Sequence, residues 1–518
     1  MNLAGKHVLV LGLGESGLAA ACWCARQGAR LRVADTRAAP PYLDELNRRV
    51  GLCLPGIPLR GPASANSRPE FIAGEFDKAL LAGIDLLVLS PGLSGGLMVV
   101  IHARAAGIPV LGEIELFAHG LRDLGGATVL AITGTNGKTT TTALTGHLLR
   151  ATGKAVGVAG NISPAALTAL MDAQDAQVLP EFWVLELSSF QLETTATLNP
   201  AAATVLNISD DHLDRYIDVD EYASAKARIF DSLAGTPGVQ VLNRNDPRVC
   251  RMVLPDRQII SFGLDAPAAE EDFGLRQRQG ETWLVQGRNF LLPLDELPLA
   301  GLHNAANAMA ALALCAAIGF DAETLLPALR SFRGLPHRVE KIAELDGVTW
   351  YDDSKGTNVG ATVAALTGIG GMNDRKIVVI LGGDGKQQDF SPLHDAVARH
   401  ARAVILIGRD GPTIGAAITG AGVAVESAAD MADAVRRAHA LAQAGDAVLL
   451  SPACASFDMF RNYEHRAQVF VAAVRALEGA GRRAAPRQAR PETRNSAGGG
   501  MNQDRPLPRE GGGGEGKS

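Results

Sequence analysis

The chain has 518 residues, too many for one hydrophobic core, so two to four domains are predicted. Hydrophobic residues make up 47% and glycine numbers 58, a composition that favours α/β domains whose strands end in glycine-rich turns. A net charge of −6 over this length excludes a broad nucleic-acid footprint.

The N-terminus, MNLAGKHVLVLGLG, enters its first strand almost at once and is not a signal peptide. No uncharged apolar run reaches about 18 residues, so no membrane span is expected. The six cysteines, Cys22, Cys24, Cys53, Cys250, Cys315 and Cys454, form no CxxC pair and no zinc spacing. They read as free buried thiols in a reducing cytosol, and a cytoplasmic location is expected.

Taken in order, KHVLVLG (6–12) reads as a buried strand, 16–27 as a helix, and RLRVAD (30–35), DLLVLSPG (85–92) and IPVLGE (108–113) as strands. Repeated βα units imply a parallel, doubly wound sheet. The Pro/Gly-rich stretch near 51–70 reads as a surface loop. A second unit opens with the strand ATVLAITG, a glycine turn and a helix from Lys138. WVLELS (183–188) and AAATVLNIS (201–209) follow as strands, and 220–233 and 301–319 as helices. After about residue 334, strands at 376–383, 403–408 and 446–451 alternate with helices at about 391–400, 429–443 and 461–477. The last stretch, 481–518, holds 9 Gly and 4 Pro in 38 residues, with 8 Lys/Arg against 4 Asp/Glu. It has too little apolar surface to offset ordering entropy and reads as a disordered tail.

The most informative segment is AITGTNGKTTTT (131–142). A strand runs into a turn bearing Gly134, Thr135, Asn136 and Gly137, and Lys138, Thr139 and Thr140 open a helix. Glycines let backbone N–H groups approach phosphate oxygens, the helix N-terminus supplies positive potential, and Lys138 reaches the outer phosphates. Thr139 can place its hydroxyl on Mg²⁺. Ile132 stands where the common phosphate-loop pattern has Gly, so the loop is the shorter GTNGKT. Glu186 ends the strand WVLELS, and Asp210, Asp211, His212 and Asp214 follow the next strand. Both ends should emerge on the ligand edge of a parallel sheet, where carboxylates suit Mg²⁺, although an acidic run can also be a solvated turn or a helix cap. Lys226, in YASAKARIF, reads by itself as a surface lysine.

Together these segments resemble the Mur ligase family over nearly the whole ordered chain. TGTNGKTT, ELSSFQLE (186–193), NISDDHLDRY (207–216) and HNAANAMAA (303–311) match its central ATPase domain. HRVE (337–340), DDSKGTN (352–358), LGGDGKQQDF (381–390) and LLSPACASFDMFRNYEHRAQVF (449–470) match its C-terminal domain. ELSSFQLE and SPACAS look most like the member that adds D-glutamate.

The resemblance implies an α/β chain of three domains: a Rossmann-like uridine-nucleotide domain (1–122), a central P-loop-type ATPase domain (123–333) and a Rossmann-like amino-acid domain (334–480), then the tail. It implies ATP and Mg²⁺ as cofactors, and UDP-N-acetylmuramoyl-L-alanine, D-glutamate and ATP as small-molecule partners of a monomer. Gly134 to Thr140, with Asn304, Arg338 and Asp353, are implied for ATP. Thr139, Glu186, His212 and a carbamylated Lys226 are implied for metal, the carbamate turning a repelled ammonium into an anionic ligand. Lys355, Thr357, Lys386, Ser456 and Tyr463 are implied for D-glutamate, and Asn161, Ser188 and Gln191 for the muramoyl-alanine part. Lys138, Glu186, His212, Lys226 and Lys355 form the implied catalytic set.

Read alone, Gly12, Gly14 and Gly17 of GLGESG, with Asp35 at the next strand end, form a dinucleotide fingerprint. In the resembled family this turn and DTR (35–37) hold uridine diphosphate, which assigns Gly14, Ser16, Thr36, Arg37 and Ser90 to that ligand. Two positions depart from the family pattern. Tyr463 stands where Phe is usual, and NISPAAL replaces NIG after Asn161, predicting a differently shaped turn. The competing readings are a ligase of the same family with another amino acid, an NAD-dependent oxidoreductase, and a nucleotide-gated binding module.

Overall fold

The computed structural model describes residues 1–51, 69–212, 215–231, 237–371 and 375–484. Three sheets follow one another along the chain.

The first contains β1 (His7–Leu11), β2 (Arg30–Asp35), β3 (Glu70–Ala73), β4 (Leu86–Leu89) and β5 (Val110–Leu111), in the order β3-β2-β1-β4-β5 and parallel throughout. β1 and β4 are buried on both faces, which is why HVLVL and LLVL read as unbroken apolar runs rather than alternating ones.

The second contains β6 (Thr128–Thr133), β7 (Val156–Gly160), β8 (Phe182–Glu186), β9 (Ala202–Val205), β10 (Val239–Asn243), β11 (Ile259–Phe262), β12 (Phe273–Arg278), β13 (Glu281–Gln286) and β14 (Asn289–Pro293). Its order is β14-β13-β12-β11-β10-β9-β6-β8-β7. The part from β7 to β11 is parallel, and β12 to β14 form an antiparallel meander at one edge.

The third contains β15 (Glu340–Leu345), β16 (Val348–Asp352), β17 (Ile377–Gly382), β18 (Ala401–Ile407), β19 (Ala424–Ser427) and β20 (Ala447–Leu450), in the order β15-β16-β20-β17-β18-β19. Only the β15–β16 hairpin in it is antiparallel.

Sheet order positions the chemistry, because parallel strands send their C-terminal loops to one edge. In the second sheet β7, β8, β6 and β9 are neighbours, with Glu186 paired to both Gly160 and Ile132 and Thr133 to Val205. The loops after these four strands therefore meet: Asn161, Glu186, the phosphate loop and the NISDDH segment. In the third sheet β16, β20 and β17 are neighbours, with Leu450 opposite Asp352 and Ile380. That gathers DDSKGT, SPACAS and GGDGK.

Several expectations are corrected. The strand at 108–113 shrinks to Val110–Leu111, and Glu113 opens a helix, Glu113–Asp123, with two glutamates in its first turn, where the helix dipole favours them. The helix expected over 220–233 runs Val219–Ala227 and tightens into a 3₁₀ turn, Arg228–Phe230. The sequence reading did not include β3, β7, β10 to β16 or β19. The loop expected near 51–70 lies largely outside the described residues, as do Cys53 and Asp214. Cys22, Cys24, Cys315 and Cys454 are buried free thiols, whereas Cys250 is exposed. Met1–Val474 form one compact unit. The last helix is Tyr463–Ala484, and 485–518 lies outside the described residues. Among the described residues, no helix is long and apolar enough to cross a membrane.

Candidate active site

The turn between β6 and the helix Lys138–Ala151 depends on Gly137. It has φ +84°, and a Cβ there would lie 2.3 Å from Asn307 Oδ1. The conformation and the close approach both demand glycine. Lys138 Nζ donates to Gly134 O and Thr135 O, each at 2.8 Å, leaving its third proton for a ligand. Burial lowers the Lys138 pKa, while the carboxylates of Glu186 and Asp211 raise it. The loop is braced by the NISDDH segment: Asn136 N donates to Asn207 Oδ1 (2.8 Å), and Ser209 N donates to Thr135 Oγ1 (3.0 Å).

Glu186 is buried at the tip of β8. Its Oε1 accepts from Asn161 Nδ2 at 2.7 Å, and its Oε2 has no hydrogen-bond partner among the described residues. A buried carboxylate oxygen left open costs free energy unless something positive meets it. This donor chemistry fits a hard divalent cation. Lys226, 1% exposed, lies in the same place, its Nζ 3.4 Å from Thr133 Oγ1 and 4.6 Å from the Tyr222 ring centroid. Burial, reinforced by the Lys138 charge, drives its pKa well down. The surface reading of Lys226 is therefore wrong. The helix turns this side chain inward, and its amine is biased toward the neutral, nucleophilic form. His212, at φ +55°, packs edge-on against Phe190 with centroids 4.8 Å apart. Arg215 ties the two strand ends together, donating to Glu193 Oε2 (2.8 Å) and Pro91 O (3.1 Å).

Beside the loop lies a cleft of about 260 Å³. Asn136, Gly137 and Thr140 form one wall, Asn304 and Asn307 another, and Arg338, Asp353 and Lys355 the side from the third sheet. Arg338 Nη2 donates to Thr139 Oγ1 at 2.7 Å, so the third sheet reaches the phosphate loop directly. Asp353 accepts from Ser451 Oγ at 2.7 Å, and burial pushes its pKa up to about 7.

In the same loop after β16, Lys355 Nζ stands 4.0 Å from the Tyr463 ring centroid, a cation–π contact. Ser456 is buried, Thr357 is half-buried, and Lys386 is exposed at φ +48°. Nearby, His337 Nδ1 pairs with Asp352 Oδ2 at 2.7 Å, and with Glu340 these side chains could also hold a metal.

In the first sheet, Asp35 does not stand free as a ribose acceptor. It accepts from Leu13 N (2.8 Å) and holds Arg37 in two bonds of 2.8 Å, which draws its pKa down to about 2. Gly17 is close-packed, since a Cβ there would meet Gly12 O at 2.0 Å, while the space around Gly14 is open. Ser90 sits beside this turn, Ser16 is half-buried, and Thr36 is exposed. Ser188 and Gln191, expected at the substrate, form a capping box for the short helix Ser189–Leu192.

Three family models match the chain: the Mur ligase MurD-like N-terminal domain over 6–112, the Mur ligase middle domain over 132–315, and the Mur ligase glutamate ligase domain over 337–454. The chain belongs to the Mur ligase family. A UDP-N-acetylmuramoylalanine–D-glutamate ligase of Aromatoleum aromaticum is 58% identical over 92% of this Mur ligase and 98% of that protein. One from Dechloromonas aromatica is 53% identical over 92% of this chain and 100% of its own. Among solved structures, the UDP-N-acetylmuramate–alanine ligase of Thermotoga maritima matches at TM-score 0.54 and 19% identity, covering 91% of this chain and 99% of its own, which is a likeness of fold.

Sequence reasoning missed two kinds of residue in this Mur ligase. Asn307 faces Gly137 and donates to Asn304 Oδ1 at 3.1 Å; it is one helical turn beyond Asn304, a spacing that could have revealed it. Arg466 is fully buried and donates to Ser354 Oγ (3.0 Å), Ser354 O (2.8 Å) and Cys454 O (3.1 Å), stapling DDSK to SPACAS. Burial lowers its pKa to about 10. Its signal was an arginine on the apolar stripe shared with Phe470 and Val474.

Proposed function

We propose that this chain is an ATP-dependent ligase that joins D-glutamate to UDP-N-acetylmuramoyl-L-alanine through an acyl phosphate, in peptidoglycan precursor synthesis. The observation that carries the reading is the joint one: identity above 50% across 92% of the chain to ligases named for that reaction, with a phosphate loop, a half-satisfied buried carboxylate and a buried lysine at adjacent strand tips.

In this reading, the loop N–H groups and Lys138 hold the ATP phosphates, while Asn304 and Asp353 hold the nucleoside. Arg338 links Thr139 to the third domain, so that domain settles against the loaded phosphate loop. Thr139, Glu186, His212 and carbamylated Lys226 would hold Mg²⁺, which supplies charge neutralisation on the phosphoryl oxygens. Lys226 reaches the carbamate when its neutral amine adds to CO₂ and releases a proton. The first domain binds the uridine diphosphate through Gly14, Ser16, Thr36, Arg37 and Ser90, and Asn161 lies toward the muramoyl-alanine end.

The alanyl carboxylate attacks the γ-phosphorus, ADP leaves, and Lys138 offsets the developing charge. Lys355, Lys386, Thr357, Ser456 and the Tyr463 ring hold D-glutamate so that its amine faces the acyl carbon. That amine displaces phosphate and loses a proton. Three domains bring together anions that would otherwise repel. A charged uridine-nucleotide substrate supports a cytoplasmic location for the enzyme, whose proposed state is a monomer.

The test is phosphate release with UDP-N-acetylmuramoyl-L-alanine and a panel of amino acids. D-glutamate alone should support turnover. Preference for L-alanine, a diamino acid or L-glutamate would overturn the assignment.

A further inference from the structure

The first turn of the helix Glu15–Arg26 belongs to the uridine-nucleotide turn, yet its first side chain reaches into the central unit. Glu15 Oε1 accepts from Ser163 Oγ at 2.7 Å and from Ala165 N at 3.1 Å. Ser163 lies two residues after Asn161, whose backbone N donates to Glu186 O (2.7 Å) and whose side chain donates to Glu186 Oε1 (2.7 Å). There is little slack between them: a Cβ at Gly160 would lie 2.3 Å from Glu186 O. On the far side of the same segment, Leu167 N donates to Glu113 Oε1 at 2.6 Å. The segment 161–167 is thus clamped between two glutamates from the first part of the chain and the carboxylate whose second oxygen is left open.

We propose that Glu15 is a positioning residue that couples the uridine-nucleotide site to the metal-facing carboxylate Glu186, through Ser163 and Asn161. When the turn Leu13–Ser16 settles around its diphosphate, Glu15 moves with it and fixes where Asn161 holds Glu186. Coupling of this kind is reciprocal, so the metal–nucleotide complex should also alter affinity for the uridine substrate. The departure NISP in place of NIG has a task here, because Ser163 supplies the hydroxyl that Glu15 grips. The inference rests on the ligase reading above.

The test titrates UDP-N-acetylmuramoyl-L-alanine onto the full chain, with and without Mg²⁺ and a non-hydrolysable ATP analogue. It compares the unaltered protein with Glu15→Ala, Glu15→Gln and Ser163→Ala. The affinity ratio between the two conditions should fall toward one by about 3- to 10-fold in Glu15→Ala. It should fall partly in Ser163→Ala and be kept in Glu15→Gln, whose amide oxygen still accepts both bonds. A purely structural contact would lower thermal stability and leave this ratio alone. Ser163→Ala removes one exposed hydroxyl, so it reports even if Glu15→Ala folds poorly. The proposal is overturned if both alanine variants keep the original ratio, or if the unaltered protein shows a ratio of one. Absence of any uridine-substrate binding would instead overturn the functional reading beneath it.

Discussion

Lys226 shows how little a residue's identity says before its surroundings are known. In sequence it is one lysine in an ordinary helical stretch. In the fold it is 1% exposed, beside a second lysine and near Glu186. An ammonium there is repelled by Lys138 and poorly solvated, so the neutral amine is favoured, and only the family resemblance pointed to that outcome. Lys226→Ala should lower ADP release by about 100-fold or more, as loss of a preorganised charge at the reacting phosphate does. Added formate or acetate should restore part of the rate by standing in for the carbamate. Unchanged turnover in Lys226→Ala would remove its ligand role. Glu186 was legible from position alone, since an acid at the end of a buried parallel strand faces the ligand edge. The capping box of Ser188 and Gln191 was not, because a cap and a substrate contact use the same residue types.

The strand–loop–helix of the phosphate site was readable because its glycines, lysine and threonine fall at fixed offsets from a buried strand. The meander β12 to β14 was not read, since FGLRQR and ETWLVQ each carry an exposed end and no continuous apolar run. The helix Tyr463–Ala484 was read as an element, but its most consequential side chain was overlooked. Arg466, in its first turn, is buried and feeds three hydrogen bonds to the loops after β16 and β20. A buried guanidinium is tolerated only when so satisfied, and hydrogen bonds to a charged group each contribute about 1.5–3 kcal/mol. Arg466→Ala should therefore destabilise the fold by roughly 3 kcal/mol or more in urea unfolding, and raise KM for D-glutamate more than KM for ATP. Equal changes in both constants would mean the staple does not act on the amino-acid side.

At the scale of the molecule, two buried carboxyls set a pH dependence. Burial raises Asp353 and Glu113 to about 7, from ordinary values of 3.8 and 4.5. Below about pH 4 both are protonated whether the chain is folded or unfolded. Between about 4 and 7 the unfolded chain ionises them while the fold retains the protons, so their contribution to stability falls as pH rises and levels off above 7. Glu113→Gln keeps an acceptor for Leu167 N and removes one titration, so its loss of stability between pH 4.5 and 7.5 should be smaller by up to about 3 kcal/mol. Parallel curves for the two proteins would show that Glu113 is not held protonated. Three α/β units were legible from alternating strands and helices. Which strand tips are neighbours was not, because sheet order depends on crossovers that local pattern does not encode. That order is what joins Asn161, Glu186 and the phosphate loop.

In the proposed reaction the loop and its neighbouring strand tips activate a carboxylate by phosphorylation. This step is tested most directly by supplying UDP-N-acetylmuramoyl-L-alanine with ¹⁸O in the alanyl carboxylate, together with ATP, Mg²⁺ and D-glutamate, and weighing the released phosphate. Each phosphate should carry one ¹⁸O taken from the carboxylate. Phosphate free of label, formed alongside the amide product, would rule out an acyl phosphate.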